Sequence, residues 1–259
     1  MKIGVLDIQG SVEEHFEALK KVEMAFKNSL KKSRLNKRDG SSKKKVGNNL
    51  SIEPVLVKKT EDLKGLKGLI IPGGESTTIG KLLGRFGLGD KIIKMSLSGK
   101  LAVWGTCAGA ILIAKKVSGD VGTDGDGDND AVNNLGLMDI EIERNAYGRQ
   151  IDSFETEIEF DFGGLGKFGN AMCDVFGGGN GIGCIKKNCG LQKIPAVFIR
   201  APLIKKVGKG VKILAKNRRE IVAVREGKLL ATTFHPEMTD DLRVHQYFVG
   251  MWGGYVSDE

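Results

Sequence analysis

Apolar and polar positions follow two periods along this chain. Residues 2–8 alternate into an apolar strand, and Gln9-Gly10 closes it. Ser11 stands where a helix cap belongs, Glu13 and Glu14 fill the first turn, and a helical pattern runs through His15, Phe16, Leu19 and Val22. His15 reads as a surface residue of that helix. Residues 52–57 and 69–72 read as strands, and Gly73-Gly74-Glu75-Ser76-Thr77-Thr78 leads into a helix from Ile79, capped by Ser76 or Thr77. An apolar run over 101–104 reads as a buried strand and 108–116 as a helix. Residues 137–143, 154–160, 196–200, 211–215, 221–225 and 229–234 read as further strands. A last amphipathic helix carries Leu242, Tyr247, Phe248 and Met251, with Thr239 or Asp240 as its cap. Strands and helices alternate early and short strands dominate late, the pattern of an α/β chain.

Three stretches break this pattern. Residues 27–49 are rich in Lys, Ser, Asn and Gly, 118–134 hold an Asp-Gly run, and 162–194 are rich in Gly. Such segments bury too little apolar surface to offset their ordering entropy, so they read as flexible insertions in one domain spanning 1–259. The 259 residues carry a formal net charge of +8, but the excess is local. Residues 27–45 contain nine of the 40 basic residues and one of the 32 acidic ones, leaving 31 of each elsewhere. A solvated loop is the default reading of that run, with nuclear import or RNA contact as the alternative; the rest of the chain is not a basic surface, which argues against a nucleic-acid-binding domain.

Other function classes fall away. No apolar run approaches the ~20 residues of a membrane span, and the start MKIGVLDIQG turns polar too soon for a signal peptide. Cys107, Cys173, Cys184 and Cys189 show neither paired nor C-x-x-C spacing, so a reduced, cytoplasmic setting fits and a zinc site does not. Counted from Asp124, an EF-hand would need Gly at 129 and Glu at 135, where Asn129 and Leu135 stand.

Chemistry concentrates at Gly105-Thr106-Cys107-Ala108-Gly109. A G-x-C-x-G turn between a strand and a helix is a nucleophile elbow with cysteine in place of serine. The helix N-terminus beside the sulfur favours thiolate over thiol. Alone, the pattern also fits a small buried cysteine in an ordinary turn. A cysteine nucleophile needs a base, and the base needs an orienting group. His235 sits at the end of a strand, and Glu237 is two residues on, within reach of the other ring nitrogen. Upstream, the Gly73-Gly74 turn can present backbone N–H groups to a ligand.

Taken together, these pieces resemble the class I (triad) glutamine amidotransferases, and within them the glutaminases that serve pyridoxal 5′-phosphate synthase. The matching stretches are Ile3-Gly-Val-Leu with Gln9-Gly10, Pro72-Gly-Gly-Glu-Ser-Thr-Thr78, Trp104-Gly-Thr-Cys-Ala-Gly109, Glu143-Arg-Asn with Gly148 and Asp152-Ser-Phe154, Val197-Phe-Ile-Arg-Ala-Pro202 and Phe234-His-Pro-Glu237. Departures are the three insertions, Asp7 in place of a small residue, and Ala110 and Met238 in place of leucine. The resemblance implies a three-layer, flavodoxin-like α/β fold with a mixed, mostly parallel central sheet. It implies a Cys107–His235–Glu237 triad, an oxyanion hole from Gly74 and Ala108, and glutamine held by Gly74, Glu75, Ser76, Arg144, Ile199 and Arg200. It also implies that ammonia passes to a separate synthase subunit, and Gln9 and Gly10 are where that partner would gate the site.

Residue chemistry agrees with those implications. Free glutamine presents an ammonium, which suits Glu75, and a carboxylate, which suits Arg144 or Arg200. Hydrolysis of its side-chain amide through a cysteine thioester needs no metal and no redox cofactor. Two other readings stay open at this stage. One is a Cys-His-Glu hydrolase of the same fold acting on γ-glutamyl peptides, separated by its turnover of peptide over free glutamine. The other is a non-catalytic nucleic-acid-binding protein, recognised by salt-dependent RNA binding.

Overall fold

The computed structural model describes residues 1–35, 51–119, 133–144, 153–163 and 190–252. In chain order the elements are β1 (Lys2–Leu6), α1 (Val12–Leu35), β2 (Glu53–Val57), β3 (Leu66–Ile71), α2 (Ser76–Arg85), α3 (Leu88–Leu97), β4 (Ala102–Thr106), α4 (Ala108–Ile113) and β5 (Ala114–Ser118). They continue with β6 (Met138–Glu143), β7 (Phe154–Asp161), β8 (Leu191–Phe198), β9 (Leu203–Val207), β10 (Lys212–Asn217), β11 (Glu220–Glu226), β12 (Leu229–Thr232) and α5 (Arg243–Trp252). Short 3₁₀ turns cover Thr60–Leu63 and Pro236–Met238.

One mixed sheet orders its strands β2-β1-β3-β4-β12-β11-β10-β7-β8. The first five run parallel to their neighbours, and from β12 onward the pairing turns antiparallel. A branch leaves this path where β9 pairs β11 and then β6, with β5 parallel beside β6. In β1, β3, β4 and β12 both faces are largely buried, so successive residues feed different cores. Ile3 and Val5 of β1, Ile70 of β3, Trp104 of β4 and Leu230 of β12 pack with α1 and α5 through Leu19, Val22, Tyr247 and Phe248. Leu6, Leu69, Ile71, Val103 and Ala231 pack on the other face with Ile79, Leu83, Ile92 and Ile111 of α2, α3 and α4. This is the three-layer α/β arrangement that the resemblance implied, and the C-terminal ends of β1, β3, β4 and β12 share one edge.

Several boundaries differ from the sequence reading. The basic run starts inside α1, which continues to Leu35, so only part of 27–49 lies outside the regular elements described here. The elbow helix ends at Ile113, and 114–118 form strand β5, because β6 offers a parallel partner there. The stretch 162–194 is narrower than expected: Phe162 is buried in the core, and Leu191–Ile194 pair with β7. Strand β9 and helix α3 carry no sharp sequence signal. Cys173, Cys184, Cys189, the Asp-Gly run and Asn145–Asp152 lie outside the described residues.

Candidate active site

The elbow forms where β4 hands over to α4. Cys107 joins them at φ 49° and ψ −105°, a backbone conformation that a non-glycine residue adopts only when its surroundings force it. Cys107 N–H donates to Thr232 O at 2.8 Å, and the Cys107 carbonyl accepts from Ala110 and Ile111. Glycines make the approach possible. A Cβ on Gly109 would run into the Ile71 carbonyl, and one on Gly105 into the Gly109 backbone. The result is a free, buried thiol at the sheet's C-terminal edge, with Ala108 N–H at the start of α4 lacking an intrahelical partner.

His235 follows β12, its N–H bonded to Val197 O at the end of β8. Nδ1 lies 2.7 Å from Glu237 Oε1, and Nε2 makes no hydrogen bond. The point where a Cβ of Gly73 would sit is 2.5 Å from His235 Cε1 and 3.4 Å from Cys107 Cβ. A glycine at 73 therefore keeps open the space between nucleophile and base. Burial works against a charge on His235, but the neighbouring Cys107 sulfur and the hydrogen-bonded Glu237 carboxylate outweigh it, raising its pKa to about 10. Burial likewise pushes the Glu237 carboxyl up, yet His15 and His235 pull harder and hold it at about 2. An imidazolium between sulfur and carboxylate is the state these shifts favour.

The Gly73-Gly74 loop is laced to the end of β1. Ser11 N–H donates to Gly73 O at 3.0 Å, and Glu75 N–H donates to Gln9 Oε1 at 2.9 Å. Gly10 takes φ 107°, and a Cβ there would strike the Gly73 carbonyl. Gln9 and Gly10 thus brace the loop that carries one of the expected oxyanion donors.

Glu75, not Ser76 or Thr77, caps α2: its carboxylate accepts from Thr77 N–H at 2.9 Å and Thr78 N–H at 2.6 Å. Burial opposes its ionisation, but those bonds win and lower its pKa. Arg144 Nη2 reaches Thr77 Oγ1 at 3.2 Å and Glu75 Oε1 at 3.5 Å. Ser76 is buried at the first position of the helix. On the far side of the sulfur, Ile199 O lies 3.8 Å from Cys107 Sγ. Arg200, exposed and at φ 45°, follows it. The fold thus gathers every candidate residue around one edge, with Arg144 on the loop side and Arg200 beyond the cysteine. Asp241, not Thr239 or Asp240, caps α5.

Sequence reasoning missed the residues behind the triad. Ser11 Oγ donates to Glu237 Oε1 at 2.8 Å. His15 is fully buried, not a surface residue, with Nε2 3.0 Å from Thr106 Oγ1 and 3.4 Å from Glu237 Oε2. A signal existed: His15 shares the helical stripe of Ala18, Leu19, Val22 and Phe26, all buried.

Comparison with known proteins places these features. The SNO glutamine amidotransferase family matches residues 5–177 and 179–253. A pyridoxal 5′-phosphate synthase subunit PdxT from Thermoanaerobacter sp. (strain X514) is 42% identical over 249 residues, covering 96% of this chain and 98% of its own. A PdxT from Thermus thermophilus is 38% identical over 251 residues, 97% of each chain. A glutamine amidotransferase crystal structure aligns at TM-score 0.67 and 38% identity over 97% of this chain and 98% of that one.

Proposed function

The chain belongs to the SNO glutamine amidotransferase family, and from that premise we propose that it is the glutaminase subunit of a pyridoxal 5′-phosphate synthase, with Cys107, His235 and Glu237 as its catalytic triad. It hydrolyses L-glutamine to L-glutamate and supplies the ammonia to the synthase subunit. One observation carries the assignment of the triad. Cys107 stands on a strained elbow at the sheet edge, and a histidine whose other nitrogen is 2.7 Å from a buried carboxylate shares the space beside it.

In the first half-reaction the Cys107 thiolate attacks the side-chain amide carbon of glutamine. Backbone N–H groups of Gly74 and Ala108 receive the developing oxyanion, a contribution on the order of 3 kcal/mol per donor. The His235 imidazolium gives its Nε2 proton to the amide nitrogen, ammonia leaves, and a γ-glutamyl thioester remains. In the second half, neutral His235 takes a proton from water as the water attacks the thioester carbon. The tetrahedral intermediate then collapses, releasing glutamate and returning the thiolate with its imidazolium. Glu237 holds Nδ1–H throughout, which fixes the tautomer that faces the substrate.

Glutamine is oriented by its two charged ends. Glu75 is already committed to the helix cap, one oxygen to Thr77 N–H and the other to Thr78 N–H, so the ammonium shares a carboxylate oxygen that keeps its α2 bond. Arg144 and Arg200 are the candidates for the carboxylate, and Ser76 and Ile199 line the approach. A free nucleophilic thiol requires a reducing compartment, and the cytoplasm is proposed as the setting.

Glutamate release from glutamine, measured with and without the synthase subunit, tests the reading. Activity with the subunit present that disappears in Cys107→Ala is the expected result. Turnover of γ-glutamyl peptides in preference to free glutamine, or full activity in Cys107→Ala, would overturn it.

A further inference from the structure

Behind the triad lies a chain of three buried polar side chains with no part in the steps above: His15 on α1, Thr106 on β4 and His245 on α5. All three are fully buried. His15 Nδ1 is 3.1 Å from His245 Nε2, and His15 Nε2 is 3.0 Å from Thr106 Oγ1. The Trp104 ring packs edge-on against both imidazoles, with centroids at 5.3 and 4.9 Å. At the far end, Glu237 Oε2 is buried with no hydrogen bond of ordinary geometry, and the polar atom facing it is His15 Nε2 at 3.4 Å.

We propose that His15 is a positioning residue of the glutaminase, clamping Glu237 from behind so that the working set is Cys107–His235–Glu237–His15, with His245 fixing the tautomer of His15. This rests on the triad roles assigned above.

Hydrogen-bond accounting sets the direction of the chain. A neutral imidazole carries one N–H. Thr106 Oγ1 donates to Ile71 O at 3.4 Å, so it accepts from His15 Nε2–H. That leaves His15 Nδ1 as an acceptor, and His245 Nε2–H supplies the donor. The remaining orphan is the His245 Nδ1 lone pair, a smaller burden than an orphaned N–H, which is the rarer kind in folded proteins. His15 Nε2–H is thus held where Thr106 takes its main bond and Glu237 Oε2 its edge. Meanwhile Ser11 Oγ–H and His235 Nδ1–H both bond Glu237 Oε1. The carboxylate is gripped at each oxygen, and two of the three grips come from one helix start, 226 residues away in the case of Ser11.

A packing histidine would need only Thr106 and His245. What points beyond packing is the buried carboxylate oxygen, which has no hydrogen bond and faces His15 Nε2 at 3.4 Å. Freed from it, the carboxylate can rotate away from His235 or take up a proton, and either change weakens the imidazolium that stands beside the Cys107 sulfur. The ionisable groups facing His15 are Glu237 from the 3₁₀ turn, His235 just before it, His245 from α5 and Glu14 from its own helix.

The test uses the full chain in complex with its synthase subunit. In His15→Leu, kcat should fall about tenfold or more with KM little changed, and the pH at which iodoacetamide alkylates Cys107 should move upward. His15→Gln, which retains a donor near Nε2, should recover part of both. An unmoved alkylation profile and a kcat that only tracks the folded fraction would make His15 a packing residue and overturn the proposal. If His15→Leu does not fold, His245→Phe decides: an upward shift in the alkylation profile with lowered kcat supports the clamp, and unchanged values overturn it. Full activity in Cys107→Ala would instead defeat the triad itself.

Discussion

At the scale of single residues, the site is a balance between burial and opposite charge. His235 would be neutral if burial acted alone; Cys107 and Glu237 hold it charged up to about pH 10. Removing a negative partner must lower that value. Glu237→Gln should therefore move the alkaline limb of kcat/KM to lower pH and reduce kcat, as a pH–rate profile with saturating synthase subunit will show. An alkaline limb that stays in place would mean that Glu237 does not govern His235. Cys107→Ala should abolish glutamate release and leave the circular dichroism spectrum and melting temperature close to wild type, because a small side chain is trimmed at a site already strained.

Elements set where those residues stand. The elbow depends on β4 and α4 meeting at a distance only glycine allows, so Gly109→Ala must displace either α4 or the Ile71 carbonyl. Its expected cost is about 1–3 kcal/mol, read as a lowered midpoint in urea unfolding, with loss of activity as Cys107 is turned from the edge. The loop after β3 depends in the same way on the end of β1. Gln9 accepts from Glu75 N–H, and Gly74 has no room for a side chain beside it. A synthase subunit that docks on Gln9 can therefore brace the Gly74 donor. Ordering one oxyanion donor predicts roughly a 100-fold rise in kcat on adding the subunit, with a smaller change in KM. Equal kcat with and without the subunit would end the gating idea and leave the triad standing. Gln9→Ala should blunt the rise.

For the whole molecule, the buried histidines tie stability to pH. Burial is the main cause lowering the pKa of both His15 and His245, the latter to about 3. Each folds neutral while its unfolded counterpart titrates near 6.5. Because the folded value is the lower one, stability is complete above pH 6.5 and is lost as pH falls toward 3. Each such group steepens the acid slope by up to about 1.4 kcal/mol per pH unit. Denaturant titrations between pH 6.5 and 4.5 should thus give His245→Phe a shallower acid slope than the wild type, by about one proton's worth. An identical slope would show that His245 is charged in the folded state.

The sequence by itself determined the elbow, the His-x-Glu pair and the parallel strands, because each is written in neighbouring residues. Glycine spacing around Cys107 permits one kind of turn, one residue separates His235 from Glu237, and the apolar alternation of β1 and the unbroken apolar run of β4 report burial directly. What the tertiary structure decided depends on residues far apart in the chain. His15 looked like a polar residue on a helix. Its role appears only when α1 packs over β4 and brings it to Thr106, His245 and Glu237. Ser76 or Thr77 reads as the cap of α2, yet the Glu75 carboxylate takes that place. Strand β5 replaced a helical continuation because β6 lay beside it to accept its backbone bonds. In each case a local preference worth a few tenths to about 1 kcal/mol gave way to burial and hydrogen bonding that only the assembled sheet and helices could provide.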